Sequence, residues 1–266
     1  MVAGWHDHLH GLATAIHETF WLVKPLTLFY MTHLNGKKLV TMKKLQKVSD
    51  YWLVKLGDSV NLIPGEDLFF RNLLEIAIIS PQILEVGIGR GRMAKMLKKE
   101  GVSGDFIGID LTRNVVKSGT KGIIGDTRRL PFRDNSFALT YSLGVVEHFP
   151  DTGVAIKEHA RVTEPEGHIL ITTPHLSLLT PIRYLVYFFT DRKYGTFEET
   201  KGRNITIRRM KKYFAEADIS VINSGFYGIW GLDYFLRKYA IGRFALKLQK
   251  TAIFGSYLYL IGQIKA

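Results

Sequence analysis

The sequence predicts an α/β fold built on a doubly wound, mostly parallel sheet. Short apolar runs of strand length alternate with helical segments over residues 83–172, as in chains of β-α-β units. The first run ends in a glycine-rich turn, Gly87 to Gly91, and a helix is expected to begin near Arg92. Ligands of such sheets bind beyond the carboxyl ends of the strands. Functional residues are therefore expected just after each strand.

The strands follow from apolar runs that end in turn-forming or acidic residues. A helix that carries Glu158 and Arg161, which we expect to form a structural pair, precedes a turn at Gly167. A further helix is predicted over 205–217. The predicted strands are 83–86, 106–110, 123–126, 137–142, 168–172, 219–226 and 256–264.

The spacing of the glycines narrows the class of ligand. Gly87, Gly89 and Gly91 stand at alternate positions, and without Cβ atoms they let a ligand approach the backbone closely. A dinucleotide fingerprint needs a small residue where this chain has Arg92, and its last glycine falls one position early. A nicotinamide oxidoreductase is therefore a disfavoured alternative.

Two acidic residues end the next two strands. Asp110 ends the second strand about 20 residues past the glycines, where a carboxylate can accept hydrogen bonds from ribose hydroxyls. Asp126, followed by Thr127, ends the third strand. Both strand ends belong to the edge at which the ligand is expected.

Together these motifs resemble a known family. The order E-x-G-x-G-x-G from Glu85 resembles motif I of class I S-adenosylmethionine-dependent methyltransferases, and residues 82–174 resemble the methyltransferase-11-like family. The resemblance implies a Rossmann-like seven-stranded sheet with an antiparallel last strand. It also implies S-adenosylmethionine as cofactor, with Asp110 on the ribose and Asp126 on the adenine amino group. The implied cofactor-binding residues are Glu85, Gly87, Ile88, Gly89, Gly91, Asp110, Leu111, Asp126, Thr127, Ser142 and Leu143. Arg128 and Arg129 depart from the family pattern, and we expect them to alter the electrostatics at the cofactor's edge.

Methyl transfer to a hydroxyl or an activated carbon needs a base with a pKa near neutrality. His148, just after the fourth strand, is the first candidate, and His175 is the second. Glu147 is expected to orient His148 or to cap the following helix. No metal site is predicted, because His6, His10 and His17 align on a helical face without suitably placed carboxylates.

Composition bounds the possible mechanisms and partners. With no cysteine, the chain has no disulfide, no thiolate metal site and no cysteine nucleophile, which excludes pyrimidine carbon-5 methylation through a cysteine adduct. The net charge of +12 is compatible with nucleic acid, an anionic membrane surface or an acidic substrate. We expect a cytoplasmic protein, with peripheral membrane contact as an option, since neither a signal peptide nor a spanning segment is recognisable.

The predicted organisation is one structural unit. A helical N-terminal cap over 1–75 precedes a methyltransferase core over 76–266. The core carries an apolar insertion over 175–204 and basic amphipathic helices over 232–252, which can pack on the sheet or lie at a membrane.

The expected function is methylation of oxygen or carbon on a small hydrophobic or lipid-linked acceptor. An RNA methyltransferase is an alternative that the charge favours, although Ser142 to Val145 lack the Asn/Asp-Pro-Pro-aromatic motif of enzymes that methylate base amines. A non-catalytic cofactor-binding or adaptor protein is the other alternative. Oligomeric state is left open.

Overall fold

The computed structural model describes residues 62, 65–112, 120–190, 201–229 and 247–266. These residues form a seven-stranded sheet in the order β3-β2-β1-β4-β5-β7-β6. The first five strands pair in parallel, and β7 lies antiparallel between β5 and β6. The predicted doubly wound sheet with an antiparallel last strand is therefore confirmed.

The elements follow the predicted alternation along the chain. The strands are β1 (Gln82–Val86), β2 (Asp105–Asp110), β3 (Lys121–Ile124), β4 (Phe137–Leu143), β5 (Thr163–Pro174), β6 (Ile219–Tyr227) and β7 (Tyr257–Ile264). The helices are α1 (Asp67–Ile79), α2 (Arg92–Lys99), α3 (Thr152–Val162), α4 (Thr180–Thr190) and α5 (Ile207–Ala215), with a 3-10 turn at Val146–His148.

Successive side chains along the strands pack in separate hydrophobic cores on the two faces of the sheet. Ile83 of β1 packs with residues of α1 and α2, whereas its neighbour Leu84 packs on the opposite face. Ile169 of β5 lies on the side that α3 and α5 cover. Successive strand residues point to opposite faces, so apolar runs of this kind need helices on both sides. The reversal of strand order beside β1 places a crevice between β1 and β4.

Strand β5 begins earlier than predicted. It starts at Thr163, and its pairing with β4 shifts register before His168. Glu166 has a φ of 62°, and a Cβ on Gly167 would lie 2.8 Å from the Glu164 carbonyl oxygen. The predicted turn at Gly167 is thus an irregularity inside one long strand.

Several predictions fall on residues outside the described ranges. These are most of the N-terminal cap over 1–75, including His6, His10 and His17, and parts of the segments 175–204 and 232–252. The division into cap and core stays a prediction. Among the helices of the described ranges, none has both the length and the apolar character needed to cross a bilayer.

Candidate cofactor and acceptor site

The glycine loop after β1 adopts a backbone that favours glycine at all three positions. Gly87, Gly89 and Gly91 have φ values of 77°, 53° and 71°. A Cβ on Gly87 would lie 2.2 Å from a methyl carbon of Val145, so the loop packs tightly against the segment after β4. A Cβ on Gly89 would meet no atom within 4 Å. The loop therefore presents open space at its centre, where a ligand can reach the backbone.

Neighbours of the glycines hold the loop in place. The amides of Gly87 and Ile88 donate to the carbonyl oxygen of Ile109 at 2.7 and 3.2 Å. The Ile88 side chain is buried against Gly108, so Ile88 borders the crevice through its backbone. Gly91 caps the N-terminus of α2.

Glu85 is buried and is bonded to residues on both sides of the glycine loop. The Tyr141 hydroxyl donates to its carboxyl at 2.8 Å, the Ala94 amide also bonds it, and burial raises its pKa to about 8. Sequence reasoning placed Glu85 at the cofactor. In the structure its contacts join β1, β4 and the first turn of α2, so it supports the loop that borders the crevice.

Arg92 forms a buried link that the sequence did not reveal. Its guanidinium donates to both carboxylate oxygens of Glu66, at 2.5 and 2.7 Å. Glu66 immediately precedes α1 and is 4% exposed. The pair ties the chain before α1 to the first residue of α2, at the edge of the glycine loop.

Asp110 faces the glycine loop from the end of β2. One carboxylate oxygen accepts from the Gly89 amide at 3.0 Å, and the other accepts from the amide and hydroxyl of Thr112, both at 2.9 Å. Each carboxylate oxygen has further lone pairs, so the group can still accept hydrogen bonds from a ligand's hydroxyls. Leu111, half-buried, follows in the same turn.

Asp126 is engaged by its own near neighbour. The Arg128 guanidinium donates to the two carboxylate oxygens at 3.1 and 2.7 Å, and it also lies over the Phe149 ring at 4.9 Å. The positive charge of Arg128 therefore lies directly at the predicted adenine contact. A ligand amine at Asp126 has to share the carboxylate with this guanidinium.

A pair of side chains fixes the segment that follows Asp126. Arg161 donates to both carboxylate oxygens of Glu158 at 2.7 and 2.8 Å, and to the carbonyl oxygens of Leu130 and Phe132 at 3.0 and 2.9 Å. Glu158 also accepts from the Leu130 amide at 2.7 Å. The predicted structural pair is confirmed.

Three buried hydroxyls lie at the same edge of the sheet. The oxygens belong to Thr127 after β3, Ser142 near the end of β4 and Thr173 near the end of β5, and none has a hydrogen-bond partner within the described ranges. Half-buried Leu143 follows Ser142 as the last residue of β4. Buried polar groups normally find a partner, so these hydroxyls mark an edge where a bound ligand would satisfy them.

Glu147 and His148 occupy the 3-10 turn after β4. Glu147 is 2% exposed, and burial raises its pKa to about 8 although Arg183 and Arg203 lie near enough to oppose this. Its Oε2 atom has no hydrogen-bond partner among the described residues. A Cβ on Gly202 would lie 2.1 Å from its Cγ atom, so Gly202 leaves the space that this side chain fills. His148 is half-buried beside it.

Tyr227 lies near both Glu66 and Glu147. Its hydroxyl is hydrogen-bonded to the Thr172 side chain, and burial together with nearby Glu66 and Glu147 raises its pKa. Glu147 was predicted only to orient His148 or to cap the following helix, and Tyr227 was not predicted at all, because the burial of a single Glu or Tyr leaves no local signal in a sequence.

His175 is held as a structural residue. Its two ring nitrogens lie 3.1 Å from the carbonyl oxygens of Ile205 and Ala252, and its ring packs on Phe226 with centroids 4.7 Å apart. Burial lowers its pKa. Both nitrogens face carbonyl oxygens, which only accept, so neutral His175 can donate to one of them at a time, and this placement favours a structural role for His175 over the predicted catalytic one.

Comparison with known proteins agrees with this geometry. Residues 84–171 match the family model described as "Methyltransferase domain". The chain contains a class I methyltransferase domain. Members of this family use S-adenosylmethionine. The open space at Gly89, the Asp110 carboxylate and the Ser142 hydroxyl, which has no hydrogen-bond partner among the described residues, fit such a cofactor at the carboxyl edge.

The relatives of this methyltransferase domain act on different substrates, according to their names. A demethylmenaquinone methyltransferase of Staphylococcus aureus is 34% identical over 160 residues, which cover 51% of this chain and 66% of that protein. A probable human tRNA methyltransferase 9B is 35% identical over 95 residues, covering 34% of this chain and 20% of that protein. This chain spans between 20% and 66% of the length of the curated relatives it matches.

The fold extends beyond the matched segment. A Thermotoga maritima structure, described as a possible histamine N-methyltransferase, has a TM-score of 0.58 at 16% identity and covers 85% of this chain and 98% of that one. At this identity the likeness concerns the fold alone.

Proposed function

We propose that this chain transfers the methyl group of S-adenosylmethionine to an oxygen or carbon atom of a small hydrophobic acceptor. The observation that carries the proposal is the convergence of Gly89, Asp110 and Ser142 at the edge of one crevice. Gly89 leaves room for a ligand, Asp110 offers a fixed carboxylate to a diol, and Ser142 offers a hydroxyl that lacks a partner in the described ranges.

The main role of the protein's residues is to bind the cofactor and the acceptor and to orient them. The cofactor, when bound, supplies an electrophilic methyl group on a sulfonium. The glycine loop and Asp110 fix its position, and close approach of the two reactants in a water-poor site provides much of the rate enhancement. An acceptor hydroxyl or acidic carbon must also lose a proton.

We assign proton removal to the turn after β4, which carries Glu147 and His148. His148 is the base predicted from the sequence. The structure adds Glu147, whose pKa of about 8 is near the pH at which a base is most effective. A pH-rate profile in Glu147→Gln and His148→Asn separates the two, because the variant of the true base turns over far more slowly and loses the fall in rate at low pH that protonation of the base causes.

Names of relatives support a hydrophobic acceptor. Besides the demethylmenaquinone methyltransferases, a phthiotriol/phenolphthiotriol dimycocerosates methyltransferase of Mycobacterium ulcerans is 26% identical over 114 residues. The apolar insertion that follows β5 agrees with such an acceptor, since it carries exposed leucine and phenylalanine residues beside the carboxyl edge.

RNA is the second candidate acceptor. The similarity to tRNA methyltransferase 9B and the net charge of +12 both favour it. Transfer to unmodified tRNA, lost when salt is raised, would favour this candidate over a quinone.

Calorimetric titration with S-adenosylhomocysteine tests the cofactor assignment first. We expect micromolar binding, no binding of NADH, and affinity about 10- to 100-fold weaker in Asp110→Ala, because hydrogen bonds to a charged group contribute about 1.5–3 kcal/mol. Asp105→Ala is the matched control, since Asp105 begins the same strand at the opposite edge and is exposed. Equal binding by both variants would remove Asp110 from the site, and no binding by the wild type would contradict the proposed function.

Acceptors are then screened with radiolabelled S-adenosylmethionine. The panel contains reduced demethylmenaquinone, a long-chain phenol and unmodified tRNA. Methylation of either hydrophobic compound supports the proposal, whereas methylation of tRNA alone replaces it with the second candidate.

A further inference from the structure

Helix α4 buries Arg183 and Tyr187 and leaves most of its apolar side chains exposed. Arg183 and Tyr187, at 1% and 4% exposure, face the protein. Ile182, Leu185 and Phe189, which lie on the opposite face at helical spacing, are 47%, 59% and 75% exposed. A helix on the surface of a globular protein ordinarily turns its apolar stripe inward. The reversed arrangement indicates that the outer face of α4 has an apolar partner.

Residues next to α4 enlarge this apolar surface. Leu176 and Leu178, just before the helix, are 55% and 66% exposed, and Ile253 is 59% exposed. The Leu178 amide donates to the Ile253 carbonyl oxygen at 2.8 Å, so the segment around residue 253 runs alongside. We refer to this surface as the α4 face; it comprises Leu176, Leu178, Ile182, Leu185, Phe188, Phe189 and Ile253. Contiguous exposed apolar surface of this kind marks an interaction site.

Contacts beneath the α4 face fix its orientation. Arg183 donates to the Asn204 side chain and to the Ser256 carbonyl oxygen, each at 3.2 Å. Its guanidinium also lies 5.2 Å from the centre of the Tyr257 ring. Rotation of the helix to bury Ile182, Leu185 and Phe189 would bring Arg183 into solvent and break these contacts. The apolar face therefore points outward as a property of the fold.

The charge beside the α4 face selects the partner. Helix α4 contains no acidic residue, and exposed Lys247 and Lys250 lie on the segment that carries Ile253. The whole chain has a net charge of +12. We infer that the α4 face docks on the surface of a bilayer that contains anionic lipids. Leucine and phenylalanine side chains would enter the interfacial region while the lysines meet the headgroups.

The dimensions of α4 agree with this orientation. Its eleven residues give a length of about 16 Å, roughly half of the hydrocarbon core of a bilayer. The helix would accordingly lie along the interface. Because α4 follows the carboxyl end of β5, docking would also set the catalytic edge near the bilayer. That last consequence rests on the proposed function, whereas docking itself does not.

Vesicle sedimentation tests the inference with the full chain and without an acceptor. The probes are vesicles of phosphatidylcholine alone and of phosphatidylcholine mixed with phosphatidylglycerol. We expect binding to the anionic vesicles, weakened about tenfold or more in Leu185→Glu/Phe189→Glu, since two apolar side chains leave the interface. The control is Ile222→Glu, which places one glutamate at a 53% exposed isoleucine on β6, and Leu185→Glu alone is the variant that matches it in charge.

A second pair of variants tests the contribution of charge. Lys247→Glu/Lys250→Glu should weaken binding to anionic vesicles, and Lys211→Glu/Lys212→Glu, an equal change on α5, should weaken it less. Equal losses in the two pairs would show general attraction and overturn the assignment of these two lysines to the docking surface.

Three results overturn the inference as a whole. They are failure of the wild type to bind anionic vesicles, binding that Leu185→Glu/Phe189→Glu leaves unchanged, and a dimer in analytical ultracentrifugation that the same variant dissociates without any vesicle binding. The last result would assign the α4 face to a second copy of the chain. Titration with S-adenosylhomocysteine is a separate measurement, so failure of docking and failure of the proposed function remain distinguishable.

Discussion

Replacement of Glu147 by glutamine should change how the stability of the protein depends on pH. The carboxyl is fully buried, and burial raises its pKa from the ordinary 4.5 to about 8 in the folded state. Between these values the folded state holds a proton that the unfolded state has released. Stability is therefore lost as pH rises through this window, at about 1.4 kcal/mol per pH unit for one proton.

The total effect follows from the width of the window. A pKa that moves from 4.5 to about 8 makes wild-type folding up to roughly 5 kcal/mol less favourable at pH 8 than at pH 4.5, through this group alone. Glutamine has nearly the same shape and no proton to lose. Glu147→Gln should match the wild type near pH 5 and become steadily more stable than it towards pH 8.

Urea unfolding at each pH unit from 5 to 8 measures this difference. The expected result is a free energy of unfolding that declines less steeply with pH in Glu147→Gln, at an unchanged m-value. Glu216→Gln, at an exposed residue of the i,i+4 pair with Lys212, is the control and should run parallel to the wild type. Parallel curves for Glu147→Gln as well would refute the reasoning, because they would mean that the folded protein holds this carboxyl ionised.

Further substitutions have defined outcomes. Gly87→Ala should prevent stable folding, because its Cβ would overlap a neighbouring methyl group at 2.2 Å, whereas Gly89→Ala should melt within a few degrees of wild type and lose S-adenosylhomocysteine binding in calorimetry. Arg92→Met should lower the free energy of unfolding by about 3–5 kcal/mol, and adding Glu66→Gln should recover much of the loss in urea titrations. His159→Gln should flatten the decline in stability below pH 6.5, since burial lowers the pKa of His159 to about 4; an unchanged acid limb would contradict that assignment.

Features set by local chemistry could be predicted from the sequence. The glycine loop needs its residues at alternate positions, and Asp110 stands one strand later because parallel strands end at a common edge. The helical pair of Glu158 and Arg161 depends on a spacing of three residues. Each of these signals lies within a short stretch of chain, and the structure places each where the spacing indicated.

Features set by distant segments could not be predicted. Glu147 is buried because Gly202, 55 residues later, leaves room for it, and Glu66 meets Arg92 across 26 residues. His175 was predicted as a catalytic base because it follows a strand, but its ring nitrogens lie against the carbonyl oxygens of Ile205 and Ala252. Only the folded topology brings these partners together, and no local pattern records them.

Of the three buried carboxyls in the described ranges, Glu85 and Glu147 differ in how their side chains are bonded. Both have a pKa of about 8, so each makes folding less favourable at neutral pH. The cost of burying Glu85 is partly offset, because Tyr141 and the Ala94 amide donate hydrogen bonds to its carboxyl and Arg92 lies near. Glu147 retains an oxygen without a hydrogen-bond partner in the described ranges. This unsatisfied oxygen, beside the carboxyl end of β4, is what supports the proposal that Glu147 exchanges a proton with a bound acceptor.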